Sequence, residues 1–288
     1  MKNVMLVIKG FIMGIANIIP GVSGGTLALT LGIYESFIGA ISHFFSNLKE
    51  NIKFLLPIFI GIGLSILTMS NLITSCFNNY PIPTTLFFMG LVTGGVPMLV
   101  KKVKNTKETK QVSSYAIMIL TFLLVMVLAF SKEIFGSTLG SADFSNLNVL
   151  GYVFLLVIGI ITAATMVIPG ISGSLVLMLL GYYLPLVNVI KDLSHLKNIL
   201  PNFLIAMFFG IGVLIGMVLI AKLIEWLFNK YEAKTYFGVL GFIIASIFAI
   251  PVSICHEIGS VTFTPVQVIV GIIFLLLGIF AGYKLGEK

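Results

Sequence analysis

The chain has 288 residues, of which 58% are hydrophobic and only 9% are charged, and its formal net charge is +7. Soluble domains carry roughly 25% charged residues, so this composition excludes a soluble globular protein and predicts an integral membrane protein. Every basic residue is a lysine, so any anion must be bound by ammonium groups, hydroxyls and backbone N–H groups rather than by the guanidinium of arginine.

Apolar runs long enough to cross a bilayer as helices recur along the chain, and the alternation typical of a β-barrel is absent. We therefore predict an all-α polytopic membrane protein. In chain order we expect a broken helical hairpin followed by three transmembrane helices, and then the same arrangement again. The first set comprises hairpin 3–45 and spans 54–77, 84–100 and 113–131, and the second comprises hairpin 149–190 and spans 201–228, 236–252 and 265–284.

An internal repeat supports this division. Residues 19–25, Ile-Pro-Gly-Val-Ser-Gly-Gly, return as residues 168–174, Ile-Pro-Gly-Ile-Ser-Gly-Ser, at an offset of 149 positions. Around this tract, 8 of 20 positions are identical between 16–35 and 165–184. A repeated helix break inside apolar sequence is typical of transporters built from a duplicated unit. We predict repeats 1–135 and 149–288, joined by an external linker, 136–148.

Lysine placement predicts which side of the membrane each loop faces. A re-entrant hairpin plus three crossings gives an odd number of crossings, so the second repeat should be inverted. The lengths of the apolar runs do not decide whether each hairpin enters and returns on one side or crosses the membrane twice. Five lysines within 101–110 mark a cytoplasmic loop rather than a nucleic-acid patch. Loops 78–85 and 253–264 lack lysine and should lie outside, although loop 191–200, also predicted outside, contains two lysines. Both termini are predicted to be cytoplasmic.

The repeated tract is the main candidate for binding chemistry. Proline and glycine interrupt a helix, and the restarted helix exposes backbone N–H groups together with a partial positive charge at its N-terminus. Such groups are costly in hydrocarbon unless they line a polar cavity or meet a ligand, and an anion such as phosphate suits them. A structural kink is the alternative for a single copy, but two matching copies favour one site built from two halves. The candidate phosphate ligands are Asn17, Pro20, Gly21, Ser23, Gly24, Gly25, Thr26, Pro169, Gly170, Ser172, Gly173 and Ser174.

Few ionisable residues interrupt the apolar stretches. Glu35, ten residues beyond Gly25, is a candidate coupling residue because carboxyl groups within membranes often serve transport; the alternative is a residue at the interface end of a short helix. Lys9 is either an anion contact or an anchor whose ammonium reaches the membrane surface. Lys222 and Glu225 are three residues apart and predict a local ion pair.

Other chemistry is not indicated. His43, His195 and His256 are scattered without metal-ligand spacing, and no nucleophile–base set or nucleotide-binding loop is present. We therefore predict no metal, no cofactor, no enzymatic activity and no nucleic-acid partner. Cys76 and Cys255 both fall near predicted external ends, where they either form a disulfide or remain two unpaired thiols.

The segment 14–26, followed by Gly32-Ile33-Tyr34-Glu35 and later by the second break at 168–174, resembles the polyprenyl-phosphate transporter family (PopT). That family was formerly a domain of unknown function, and the resemblance covers essentially the whole chain. It implies a bacterial cytoplasmic-membrane protein that returns undecaprenyl phosphate, the carrier lipid of cell-wall synthesis, from the outer to the inner leaflet. Its partners would be the polyprenyl-phosphate lipid and the bilayer, with protons as the candidate coupling ion.

Two alternatives come from other functional classes. The motif is similar to the Pro-Gly-x-Ser-Arg-Ser of undecaprenyl-pyrophosphate phosphatase, but Gly24 and Gly173 replace the arginine here and no paired carboxylates accompany it. A secondary transporter for a small soluble anion fits the same breaks and is excluded only by the family resemblance.

Overall fold

The computed structural model describes residues 2–18, 22–106, 112–130, 142–144, 147–258 and 264–286, without the side chains of residues 2, 194 and 253–258. These residues form helices and the turns between them, and this part of the chain contains no strand. In the first half the helices are α1 Lys2–Ile18, α2 Gly24–Thr30, α3 Tyr34–Ser42, α4 Leu48–Asn79, α5 Pro81–Asn105 and α6 Val112–Ala129.

The second half repeats the order and the approximate lengths of these helices. Both α2 and its counterpart have 7 residues, and both α4 and its counterpart have 32. The helices are α7 Val149–Val167, α8 Gly173–Leu179, α9 Tyr183–Ser194, α10 Ile199–Lys230, α11 Glu232–Ile258 and α12 Pro265–Gly286.

Seven helices in the described ranges are long and apolar enough to cross a membrane: α4, α5, α6, α7, α10, α11 and α12. The pair α8 and α9 passes the same test together but is bent by 108° at its junction, as expected for a broken span or a re-entrant segment. The predicted all-α polytopic class is confirmed. The inverted orientation of the second half remains a prediction.

The short helices α2 and α8 end in the same way. Gly32 and Gly181 follow them with φ of +68° and +76°, a left-handed conformation that favours glycine. In the first copy the Ile33 N–H donates to the Ala28 carbonyl at 3.0 Å, and in the second the Tyr182 N–H donates to the corresponding carbonyl at 2.9 Å. These are Schellman motifs, so each hairpin contains a second turn only seven residues after its first break.

Close helix pairs join the two halves. Helix α5 packs on α12 and α6 packs on α11, whereas α1 packs on α4 and α7 on α10 within one half. A Cβ at Gly90 would lie 2.2 Å from the Leu275 carbonyl oxygen, so the backbones of α5 and α12 touch. Small residues four apart allow this approach between membrane helices. The facing glycines are Gly90 and Gly94 of α5, and Gly278 and Gly282 of α12.

The two hairpins differ in how far the protein buries them. Every residue of α2 is buried, and α3 packs against α10 of the other half. In α8 only Leu177 is buried. The main hydrophobic core therefore gathers around the first hairpin, with Leu27, Leu31 and Ile38 among its fully buried side chains.

The substitution Gly90→Ala should destabilise the protein, because the added methyl group meets the backbone of α12. Overpacking of this kind costs about 1–3 kcal/mol. The matched control is Gly210→Ala on α10, where an added Cβ has no neighbour within 4 Å. Thermal unfolding of the purified variants in detergent should show a lower midpoint for Gly90→Ala alone, and equal midpoints would contradict the close packing of α5 on α12.

Candidate functional site

The first break is capped by its own side chains. Ser23 is the N-cap of α2, and its Oγ accepts a hydrogen bond from the Thr26 N–H at 3.2 Å. Asn17, near the end of α1, accepts one from the Gly24 N–H at 3.1 Å through Oδ1. Two of the donors that this break frees are therefore already paired within the protein.

The second break has a different hydrogen-bond pattern. Gly170 has φ of +83°, and a Cβ there would lie 2.5 Å from the Phe242 carbonyl oxygen, so this position requires glycine. Ser172 is the N-cap of α8, but its side chain makes no capping bond. Its Oγ lies 2.8 Å from Ser174 Oγ instead. The second break therefore keeps a hydroxyl pair beside a helix N-terminus that no side chain caps.

The two breaks contact each other directly. The Gly170 N–H donates to Thr26 Oγ1 at 2.8 Å, and both residues are buried. A Cβ at Gly25 would lie 2.9 Å from the Val167 carbonyl oxygen, so the start of α2 lies against the end of α7. The Tyr34 hydroxyl donates to the same carbonyl at 3.3 Å. Segments 149 residues apart in the sequence thus form one polar junction inside an apolar core.

Lys9 does not lie at the start of α2. It is 8% exposed, and its ammonium donates to the Leu31 carbonyl at 2.8 Å, at the C-terminal end of that helix. A cation there complements the carbonyls and the partial negative charge of the helix end. This contact stabilises the helix end and differs from both the anion contact and the surface anchor that the sequence suggested.

Glu35 ties the first hairpin to both halves of the protein. Its carboxylate accepts hydrogen bonds from the Lys102 ammonium on α5 and from the Tyr236 hydroxyl on α11, the latter at 2.6 Å. The same ammonium lies 5.5 Å from the centroid of the Tyr236 ring, within cation–π range. Glu35 is about half exposed, and it borders a cavity of about 410 Å³ that Glu225 and Glu232 also line.

The predicted ion pair between Lys222 and Glu225 is wrong. The Glu225 carboxylate turns to the end of α3, where it accepts a hydrogen bond from Ser42 Oγ and lies 3.3 Å from His43 Nδ1. The tertiary packing of α3 on α10 offers partners across the interface, and these replace the neighbour on the same helix.

Some predicted residues lie outside the described part of the chain. Pro20 and Gly21 of the first break belong to this group, and so does the side chain of Cys255. Cys76 is a free thiol. Within the described ranges no group of three or more histidine, cysteine, aspartate or glutamate side chains could hold a metal ion.

Sequence reasoning missed three side chains around these sites. Tyr34 had a signal, because it recurs as Tyr183 in the repeat, but its hydroxyl contact with the second break was not foreseen. No sequence signal pointed to Lys102 or Tyr236. They lie 67 and 201 positions from Glu35, and only the packing of the helices brings them to its carboxylate.

Comparison with known proteins shows which family the chain belongs to. The model of a family described as undecaprenyl phosphate translocase-like matches residues 13–258. The chain belongs to this family. A polyprenyl-phosphate transporter of Staphylococcus aureus is 31% identical over 85% of this chain and 84% of its own length. A polyprenyl-phosphate transporter of Vibrio cholerae is 28% identical over 83% of this chain and 75% of its own. No solved structure gives a significant match.

The hydrogen bond between the two breaks can be tested through stability. In Thr26→Val the buried Gly170 N–H loses its acceptor, and an unpaired buried donor costs about 1–3 kcal/mol. Thr26→Ser keeps the hydroxyl and is the matched control. We expect a lower thermal midpoint for the valine variant than for the serine variant, and identical midpoints would show that this bond does not hold the junction together.

Proposed function

We propose that this protein transports a polyprenyl phosphate, and that it moves undecaprenyl phosphate from the outer to the inner leaflet of a bacterial cytoplasmic membrane for reuse in cell-wall synthesis. The observation that carries the proposal is the contact between the two helix breaks through Thr26 and Gly170. Membership of the translocase-like family and the two transporters among its relatives support the substrate class.

The phosphate head would bind at the junction of the two breaks. Ser172 and Ser174 supply hydroxyl donors beside the uncapped start of α8, where helix polarity favours an anion. The first break contributes through Ser23, Gly24, Gly25 and Thr26, which pack the junction, and Asn17 holds the Gly24 N–H. Pro169, Gly170 and Gly173 would shape the backbone on the other side.

A transporter fits these residues better than a phosphatase does. The positions that carry arginine in the phosphatase motif are Gly24 and Gly173, and a glycine supplies neither charge nor a side-chain donor. Both relatives named above are transporters.

The serines of the second break provide the most direct test of binding. Ser172→Ala and Ser174→Ala should each slow translocation of a fluorescent undecaprenyl phosphate in proteoliposomes by about tenfold or more, since a hydrogen bond to a charged group is worth ~1.5–3 kcal/mol. Because Ser172 caps no helix through its side chain, its loss should lower the thermal midpoint less than the loss of a capping serine does.

Ser23→Ala is the informative comparison, since Ser23 caps α2 and its loss should lower stability as well as transport. Undiminished translocation by a folded Ser172→Ala, Ser174→Ala double variant would remove the phosphate site from this junction.

The energetics of inward transport call for a coupling ion. A phosphate monoester carries about −1.5 to −2 charge at neutral pH. Moving it inward against an inside-negative potential of 100 mV costs about 3.5–4.6 kcal/mol, at roughly 2.3 kcal/mol per charge. Protons that move with the phosphate would cancel this cost, and Glu35 is the carboxyl of the first hairpin that would carry one, on condition that its surroundings raise its affinity for the proton during transport. A protonated carboxyl is a weaker acceptor for the Lys102 ammonium and the Tyr236 hydroxyl, so proton binding would loosen the contacts that tie the hairpin to α5 and α11.

Glu35→Gln should uncouple translocation from protons, because glutamine keeps the shape of the side chain and cannot titrate. The matched control is Glu50→Gln in the first turn of α4, an exposed position. We expect an imposed pH gradient to drive flipping by the unmodified and control proteins and not by Glu35→Gln. An equal response from all three would make Glu35 a structural residue only.

A further inference from the structure

A lateral cavity of about 520 Å³ lies between α6, α10 and α11, directly behind the second break. Its volume is in the range of small-molecule sites. The inner end is formed by Ile168 and Pro169, and by Tyr34, whose hydroxyl reaches the Val167 carbonyl. The walls are almost wholly apolar and come from Ile117, Ile220, Leu223, Leu227, Val239 and Phe242. We refer to this cavity as the lateral groove.

The other end of the lateral groove is polar and positively charged. Lys234 and Thr235 line it next to the Tyr231 ring, and the Lys234 ammonium lies 5.5 Å from the centroid of that ring. Lys230 lies 5.4 Å from the same ring and 5.0 Å from the ring of Trp226. Within the described ranges neither lysine pairs with a carboxylate. Tryptophan, tyrosine and lysine together are typical of the depth at which lipid headgroups lie.

We infer that the lateral groove is a docking site for one polyprenyl-phosphate molecule in its ordinary bilayer orientation, with the phosphate at Lys234 and the first isoprene units along α10 and α11. The inference rests on the proposed function and adds a second site to it, at the membrane surface beside the α10–α11 turn. Lys234 and Phe242 are eight residues apart on α11, about 12 Å at 1.5 Å per residue, so the apolar part accommodates the start of the chain.

The match is one of charge and shape. The ligand has one anionic end and one apolar chain, and the lateral groove has one cationic end and one apolar trough. Continuity with the break junction supports the same occupant, since Pro169 at the inner end precedes the Gly170 that bonds Thr26. A lipid in this groove therefore lies next to the junction of the two breaks, where its phosphate would bind during transport.

A second cavity provides an internal control. It also has a volume of about 520 Å³ and lies on another face of α10, lined by residues that include Phe44, Phe59, Leu214 and Leu219. No lysine lines it, and neither break borders it. Leu219 and Leu223 are one helical turn apart on α10 and are similarly exposed, so tryptophan substitutions at these two positions differ mainly in which cavity they fill.

The experiment measures equilibrium binding of fluorescent undecaprenyl phosphate to purified protein in nanodiscs. Leu223→Trp, which fills the lateral groove, and Lys234→Gln, which removes its charge, should each weaken binding by about tenfold. The controls are Leu219→Trp and Lys284→Gln, the latter at another lysine that lies near an aromatic ring, 5.8 Å from the Phe280 centroid, and neither should change the affinity. Leu227→Trp is a second filling variant in case Leu223→Trp does not fold.

Three further comparisons make the result decisive. Lys234→Gln should leave binding of the uncharged alcohol undecaprenol unchanged, because only the phosphate needs the ammonium. Equal affinities in all four variants, or displacement of the probe by an equal concentration of phosphatidylglycerol, would overturn the docking site. Failure of the proposed function is a separate result, namely no translocation by the unmodified protein in proteoliposomes although the lipid binds.

Discussion

The rest of the structure depends on pairing the backbone donors that its broken helices free, and the hydrogen bond from the Gly170 N–H to Thr26 Oγ1 provides this pairing between the two breaks. A broken helix frees backbone donors, and in an apolar interior each unpaired donor is costly. This protein breaks two hairpins and pairs the breaks with each other, while Ser23 and Asn17 cap further donors of the first break. Glycines at 25 and 170 allow the two backbones to come close enough for this pairing.

The pairing is unequal on its two sides. Helix α2 is buried and capped, Lys9 closes its other end, and α3 is tied to the second half through Glu35 and Glu225. Helix α8 has no side-chain cap and buries only Leu177. The first hairpin is therefore an integrated part of the core, and the second hairpin keeps a hydroxyl pair beside a helix start that no side chain caps. Two copies of one motif thus have different physical roles in the same fold.

The apolar surface around this junction suits the proposed substrate. Helices α5 and α12, and α6 and α11, cross between the halves and hold them as one body. Between α6, α10 and α11 this arrangement leaves a trough with Lys234 at one end and the second break at the other. A single-chain lipid phosphate combines the two chemistries that this surface offers.

The sequence by itself determined the membrane class, the all-helical fold and the repeated break, because hydropathy, proline and glycine act locally on the backbone. It also identified Thr26 and Gly170 as candidate site residues, although not their bond to each other. Only the tertiary structure decided the partners of the charged groups. Lys9 binds the end of a helix, and Glu225 contacts α3 instead of Lys222. Glu35 accepts hydrogen bonds from Lys102 and Tyr236. Long polar side chains in an apolar protein take whichever partner the packed helices bring within reach, and that choice has no signature in local sequence.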